Sequence, residues 1–361
     1  MISDLPCVIH GYTFRKLIGK GGFSSVYLVQ SERYPMVFCA KVMQIATIDA
    51  GSEEAKTAIN EMNSLIMLNH PHILRLYDHF KDSSHFFLII EFCSGGSLSN
   101  EVSRAKGLPL DRFIVLSRQI ISALATCHNH NIAHHDIKLG NILLDEFGRA
   151  KLADFGISVH VDRYGDLCES FAGSIEYESP ELLNKKPHDP FAADIWALGV
   201  LFAHMIGGVS PWRCDTIGKL KKCIAKGLYR LPRDTPQEIA DIIAQMIVVE
   251  PEKRITMEKL RNLPIFQMND STVDVPLNER DDPNHIPDCL SPIGRQMALG
   301  RANLPFLDQT MESSSIDFTE DENPINHKSS TTLSICALNL LKGRSSVPFI
   351  RTRYHPKPKA S

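Results

Sequence analysis

The stretch from Asn131 to Ser158, NIAHHDIKLGNILLDEFGRAKLADFGIS, constrains the fold more than any other part of the chain. Two short apolar runs, Ile142 to Leu144 and Ala150 to Ala153, flank the turn EFGR and read as a β-hairpin. A hairpin returns the chain on itself, so Asn141 at one foot and Asp154 at the other face one site. Both are side chains of the metal-binding type, and Asp136 and Lys138 lie just upstream.

This segment resembles the catalytic loop and DFG segment of eukaryotic protein kinases, whose pattern is H-R-D-L-x-x-x-N followed by D-F-G. The matching residues are His134, Asp136, Asn141, Asp154, Phe155 and Gly156. A DFG tripeptide arises by chance, but its fixed spacing from an upstream H-x-D-x-K-x-x-N is specific.

The resemblance implies a glycine-rich loop, a strand lysine and a helix glutamate upstream, in that order. IGKGGFSSV, from Ile18 to Val26, follows the strand-like YTFRKL. Gly19 and Gly21 sit where backbone amides can approach phosphate oxygens unhindered, with Lys20 and Gly22 beside them and Ser24 at the third glycine position. FCAKV matches the strand bearing the phosphate-pairing lysine, with Lys41 as that residue and Cys39 where alanine is usual. A lysine in so apolar a strand requires an acidic partner. Glu61 is the candidate, in a segment where Ile59, Met62, Leu65 and Leu68 recur at helical spacing and leave Glu61 beside the apolar stripe.

The resemblance continues through IEYESPELL, DIWALGVLFAHMIGG and EPEKRIT, and so covers residues 12–266. It implies an α+β, bilobal fold, with a small β-rich lobe over residues 12–92 and a larger helical lobe over 93–266. Glu181 and Arg254 are similar to a long-range ion pair that ties the activation segment to the helical lobe. Asp194 is similar to the helix residue that holds the catalytic-loop backbone. Both readings are structural.

By the same resemblance, Asp154 and Asn141 hold magnesium, and Lys41, fixed by Glu61, grips the α- and β-phosphates of ATP. Asp136 orients a substrate hydroxyl and accepts its proton, while Lys138 offsets charge on the transferring group. Ile18 to Gly22 cover the phosphates. The adenine lies between Val26 and Cys39 on one side and Leu143 on the other, with the hinge backbone from Glu91 to Cys93 supplying hydrogen bonds and Ile90 guarding the rear.

The implied activity is ATP-dependent phosphorylation of serine or threonine in a protein substrate. Lys138, and Gly173-Ser174 before Tyr177, match serine/threonine kinases, and the group most resembled is the calcium/calmodulin-dependent kinase-like one. The alternative is a kinase-shaped scaffold without catalysis, which would be free to lose Lys41, Glu61, Asp136, Asn141 or Asp154; all are present. The departures are Ser24 for glycine, His135 for arginine, Leu139 for proline and Ser179 for alanine, and none removes a reacting group. Ser97 and Gly140 stand where arginine-selecting relatives carry acids, so strong selection of an upstream arginine is not expected. Ser170 matches a regulatory phosphosite, but its arginine clamp is replaced by His135, so phosphorylation there is not expected to be required.

His128, His130, His134 and His135 lack the ligand spacing of a closed zinc site, and His134 is expected to pack on Phe155. The net charge of −3 supplies no global basic field, so nucleic acid is not an expected partner. Nine cysteines without C-x-x-C spacing suit reduced thiols. No uninterrupted apolar run of membrane-spanning length is evident, and MISDLPCVIHGY lacks the basic start and apolar core of a signal peptide. A soluble cytoplasmic or nuclear protein without a membrane partner is expected.

Residues 267–361 hold four of the 27 aromatic residues and nine of the 21 prolines, too little bulky apolar material for a core of their own. A mostly disordered tail is expected. Within it, Leu333, Ala337, Leu340 and Leu341 recur at helical spacing before a basic end, a pattern that could dock on the kinase lobe or bind an acidic regulatory partner such as calmodulin, with a solvated disordered tail as the plainer reading.

Overall fold

The computed structural model describes residues 2, 4–21, 24–44, 53–82, 85–162, 165–170, 173–267 and 355–356, without the side chains of 53–56 and 355–356. Gly22 and the tail helix pattern therefore lie outside the described residues, as does the expected tail disorder except at Gln267 and at His355–Pro356, which pair with Asp166–Leu167.

The first part of the chain is one antiparallel six-stranded sheet in the order β1-β2-β3-β4-β6-β5. Its strands are β1 (Cys7–Ile9), β2 (Tyr12–Lys20), β3 (Ser24–Ser31), β4 (Val37–Gln44), β5 (Leu76–Lys81) and β6 (His85–Glu91). Successive strand residues face opposite sides, and the sequence uses both. Phe38, Ala40 and Val42 join Tyr12, Phe14, Tyr27, Val29, Phe87 and Ile89 in an outer core. Cys39 and Met43, of opposite parity, join the larger core that runs into the helical part. Lys41 shares their parity, so the pleat turns it toward the inner face, opposite Leu88 in register.

Helix α1 (Glu53–Met67) packs against that face. Its buried stripe is Ala58, Met62 and Leu65, with Leu68 buried just past the helix end. Ile59 is only partly buried, and Glu61 falls inside the stripe rather than beside it.

The remainder is mainly helical around α2 (Leu110–Asn129) and α3 (Pro190–Gly207). Helix α3 begins with Pro190 at its first turn, capped by the Asp189 carboxylate, which accepts from the amides of Phe191 at 3.0 Å and Ala192 at 3.3 Å. It has the length and mean apolarity of a membrane-crossing helix, but Asp194 and His204 interrupt its apolar run and its residues are mostly buried inside the protein, as a central core helix requires.

Between the two parts lies the hairpin of β7 (Ile142–Leu144) and β8 (Ala150–Leu152), in the register Leu144↔Ala150, Leu143↔Lys151, Ile142↔Leu152. Asp145 shapes its turn by accepting from the amides of Phe147 and Arg149, both at 2.9 Å, and Gly148 takes φ of 73°. Leu152 exchanges backbone hydrogen bonds with His72 and Leu74, which ties the hairpin to the segment before β5.

Candidate active site

The hairpin places its feet as expected: the Ala153 amide donates to the Asn141 carbonyl at 2.9 Å, and Asp154 follows. Asp154 adopts φ of 67° and His135 φ of 64°, a region costly for residues other than glycine. Two strained residues within the candidate site fit a backbone over-determined by its surroundings.

Lys41 Nζ donates to Glu61 at 2.7 Å and 2.6 Å and to Asp154 Oδ1 at 3.2 Å. Burial alone would lower the lysine pKa, but the attraction of Glu61 and then Asp154 outweighs it and raises the value above the ordinary range. For Asp154, burial works upward, yet Lys41 holds the carboxyl below the usual value. Burial pushes the Glu61 carboxyl up, with the Lys41 charge opposing it. Lys41 and Asp154 are therefore both ionised near neutrality.

A second constellation surrounds Asp136. Lys138 Nζ donates to its Oδ2 at 2.5 Å, Asn141 Nδ2 to the same oxygen at 2.8 Å, and Ser174 Oγ to Oδ1 at 3.0 Å. Lys138 also donates to Ser174 Oγ at 3.0 Å, so the serine bridges the two charges. Asn141 Nδ2 donates to the Asp136 carbonyl as well, which leaves its Oδ1 as the amide's ligand atom. That oxygen and the Asp154 carboxylate make the hard-oxygen pair that a magnesium ion would use.

The residues placed around the adenine also converge. Val26, Cys39, Ile90 and Leu143 belong to one apolar cluster, and Ile18 is exposed at the end of β2. Gly19 pairs with Val26 and Lys20 with Ser25, while the Gly21 amide donates to the Ser24 carbonyl at 2.8 Å and closes the described base of the loop. At the hinge one expectation is narrowed. The Glu91 amide donates to the Arg75 carbonyl at 2.9 Å, and its carboxylate pairs with Lys151 at 2.7 Å, so a hinge donor to a ligand must come from farther along, at Cys93. Gly95 follows because a β-carbon there would lie 2.8 Å from the Leu144 side chain.

The supporting residues behave as expected. Asp194 accepts from the backbone amides of His134 at 2.8 Å and His135 at 2.9 Å, and contacts His128 Nε2 at 2.9 Å. His134 lies edge-on to Phe155 at 4.7 Å and bonds the Ala153 carbonyl at 3.1 Å, so it is a packing residue. Glu181 takes a two-pronged bond from Arg254 at 2.6 Å and 2.8 Å, deep in the core.

Sequence reasoning missed Asn60. Its Nδ2 donates to the Ser158 carbonyl at 2.6 Å and lies within 3.3 Å of the carbonyls of Phe155 and Gly156, fastening α1 to the segment after Asp154. Nothing in a one-dimensional pattern marks an asparagine beside Glu61 for this; the partners lie 95 to 98 positions away. The bridging role of Ser174 is likewise invisible in the sequence, where the serine marks only the substrate class.

A fold of one sheet and a helical part that joins Lys41, Glu61 and Asp154 in one cluster and Asp136, Lys138, Asn141 and Ser174 in another has the arrangement of a protein kinase domain. The chain belongs to the protein kinase domain family, which it matches over residues 12–266. It is 32% identical over 261 residues to a carbon catabolite-derepressing protein kinase of Secale cereale, covering 72% of this chain and 52% of that protein. It is also 32% identical over 256 residues to an Aurora kinase of Dictyostelium discoideum, covering 71% and 66%, and 32% identical over 249 residues to the human NUAK family SNF1-like kinase 2, covering 69% and 39%. The chain thus spans between two fifths and two thirds of the length of these relatives. None of the three carries a calcium/calmodulin designation in its name.

Proposed function

We propose that the chain is an ATP-dependent serine/threonine protein kinase. The observation that carries this reading is the Asp136 carboxylate, held at one oxygen by Lys138 and Asn141 and at the other by Ser174, on the loop leading into the Asn141–Asp154 hairpin.

Asp136 orients the hydroxyl of the protein substrate and accepts its proton as the oxygen attacks the γ-phosphorus of ATP and the bond to the β-phosphate oxygen breaks. Lys138, on the same loop, offsets charge on the transferring group. Lys41, oriented by Glu61, holds the α- and β-phosphates. Asn141 Oδ1 and Asp154 hold magnesium, which when bound neutralises phosphate charge. Ile18, Gly19, Lys20, Gly21 and Gly22 cover the phosphates, and Val26, Cys39 and Leu143 enclose the adenine beside Glu91 and Cys93.

Selection of an upstream arginine is weak in this reading. Gly140 has no side chain, and Ser97 supplies no charge. Of the nearby carboxylates, Glu101 is already committed to Arg112 at 2.8 Å.

Incubation of the purified chain with magnesium, labelled ATP and an arrayed peptide library tests the proposal. Phosphate on serine or threonine peptides, abolished in Asp136→Asn, is expected. Equal incorporation by wild type and Asp136→Asn would refute the assignment of Asp136, and no incorporation by wild type on any peptide or on itself would favour the scaffold reading.

A further inference from the structure

His135 is the catalytic-loop residue with no evident task, and its surroundings are unusual. Its ring is buried, and among the described residues neither ring nitrogen has a hydrogen-bond partner. A neutral imidazole carries one donor and one acceptor, and burying both unmet is costly. Hydrogen bonding within the described protein therefore does not account for the residue.

The ring stacks on His188 with centroids 5.5 Å apart, and Cys168 completes a group of three buried side chains whose two nitrogen atoms and one sulfur atom lie within 4.8 Å of one another. The backbone builds this group. Cys168 and His188 face each other across an antiparallel bridge, with the Cys168 amide donating to the His188 carbonyl at 2.7 Å and the reverse bond at 3.1 Å. A directly opposed pair of this kind projects both side chains to the same side. His135 enters from the catalytic loop, its φ of 64° fixed by the grip of Asp194 on its amide.

We propose that His135, Cys168 and His188 bind a zinc ion that staples the catalytic loop to the activation segment. Two imidazole nitrogens and one thiolate sulfur are a borderline-soft donor set of the kind zinc takes, with the fourth position left to water or another ligand. Zn–N of about 2.0–2.1 Å and Zn–S of about 2.3 Å place these tetrahedral donors roughly 3.3 to 3.6 Å apart, so the group needs to close by at most about 1.5 Å.

Two surrounding contacts have the form that supports metal ligands. His188 Nδ1 lies 3.1 Å from the Lys186 carbonyl and donates to it, which puts the lone pair on Nε2. The Ser170 amide donates to Cys168 Sγ at 3.2 Å, a bond that favours the thiolate.

The staple has a mechanical consequence that rests on the kinase reading. His135 precedes Asp136, and Cys168 lies six residues before Ser174, so one ion fixes both ends of the Asp136–Ser174 hydrogen bond.

The test uses the full chain, stripped of metal with a chelator under reducing conditions. It is titrated with ZnCl2 against a chromophoric chelator and, in parallel, with CoCl2 under visible spectroscopy. One tight equivalent of zinc per chain is expected, together with a thiolate-to-cobalt charge-transfer band and a zinc-dependent rise in Tm. Cys168→Ser and His188→Ala should each weaken zinc by more than ~10²-fold, whereas Cys214→Ser, which disrupts a close thiol pair elsewhere, Cys214 with Cys223 at 3.4 Å, should not. Absence of a tight zinc equivalent in the wild type overturns the proposal, as does a Cys168→Ser protein that titrates like it. Absence of the cobalt–thiolate band in folded wild type overturns it even if Cys168→Ser fails to fold. Zinc binding by a protein with no kinase activity would overturn the proposed function and leave the site standing.

Discussion

Lys41 Nζ lies 2.6 Å from Glu61 Oε2, and both groups are withdrawn from water in the face of the sheet that meets α1. Each charge is tolerated there only because of the other. The pair sets where the lysine points, and Asp154 at 3.2 Å shows the direction. Lys41→Met should reduce kcat by at least ~10² through loss of a preorganised charge. Glu61→Gln, which keeps the volume but releases the lysine, should lower kcat while retaining measurable turnover. Steady-state kinetics on a peptide substrate checks both, and undiminished kcat in Lys41→Met is the outcome that contradicts the site.

Ser174 holds Asp136 and Lys138 through hydrogen bonds of 3.0 Å each. Bonds to charged partners contribute ~1.5 to 3 kcal/mol, so Ser174→Ala is expected to lose roughly tenfold or more in kcat. Ser174→Thr keeps the hydroxyl and should recover most of it. Equal loss in both variants would mean that steric fit, not the hydrogen bonds, matters at this position.

Arg254 is satisfied to its last donor. Besides Glu181, its guanidinium donates to the carbonyls of Val248 at 2.7 Å, Ala192 at 3.0 Å and Val249 at 3.3 Å, and it sits over the Trp196 ring at 5.0 Å. Arg254→Ala strands a buried carboxylate and these carbonyls. A loss of about 3 to 5 kcal/mol is expected, read from urea denaturation at pH 7. Glu181→Gln, which keeps an acceptor oxygen, should cost less.

Acid should weaken the fold through His70 and His72. Burial lowers both imidazoles to about 4 from the ordinary 6.5. His70 Nδ1 accepts the His72 amide at 3.1 Å, a bond that protonation would destroy. Folded values below unfolded ones mean that the unfolded chain binds more protons between pH 6.5 and 4, so stability falls as pH drops through that window. The slope is at most ~1.4 kcal/mol per pH unit for each histidine, and partial solvent access reduces it. Urea unfolding at pH 7 and pH 5 reads the difference, and His70→Gln should shrink it.

Ser170→Ala is expected to retain most basal activity. His135 is buried against His188 and offers no guanidinium fork for a phosphate on Ser170, while the contact that Ser170 makes with Cys168 Sγ comes from the backbone amide, which alanine keeps. Initial rates for wild type and Ser170→Ala, each treated with phosphatase, check this. A rate below a tenth of wild type in the variant would show that the hydroxyl or its phosphate is needed.

Elements whose partners are near in the chain, or whose spacing is rigid, are legible in the amino-acid order alone. The hairpin carrying Asn141 and Asp154 follows from two apolar runs around a turn, whereas the inner-face placement of Lys41 does not, because both parities of its strand are apolar and only the packing turns Cys39 and Met43 inward. Glu61 is legible because a lysine in an apolar strand demands a counter-charge, although its exact place in the helix stripe is shifted by one residue, Ala58 being buried in place of Ile59. Which side chains meet across long separations emerges only from the packing of the folded chain. The reach of Asn60 to Ser158, the bridge that Ser174 makes between Asp136 and Lys138, and the meeting of His135 with Cys168 and His188 all join segments separated by tens of residues. Such contacts leave no local period or propensity, because their free energy comes from burial and from hydrogen bonds that exist only once the parts of the chain have packed together.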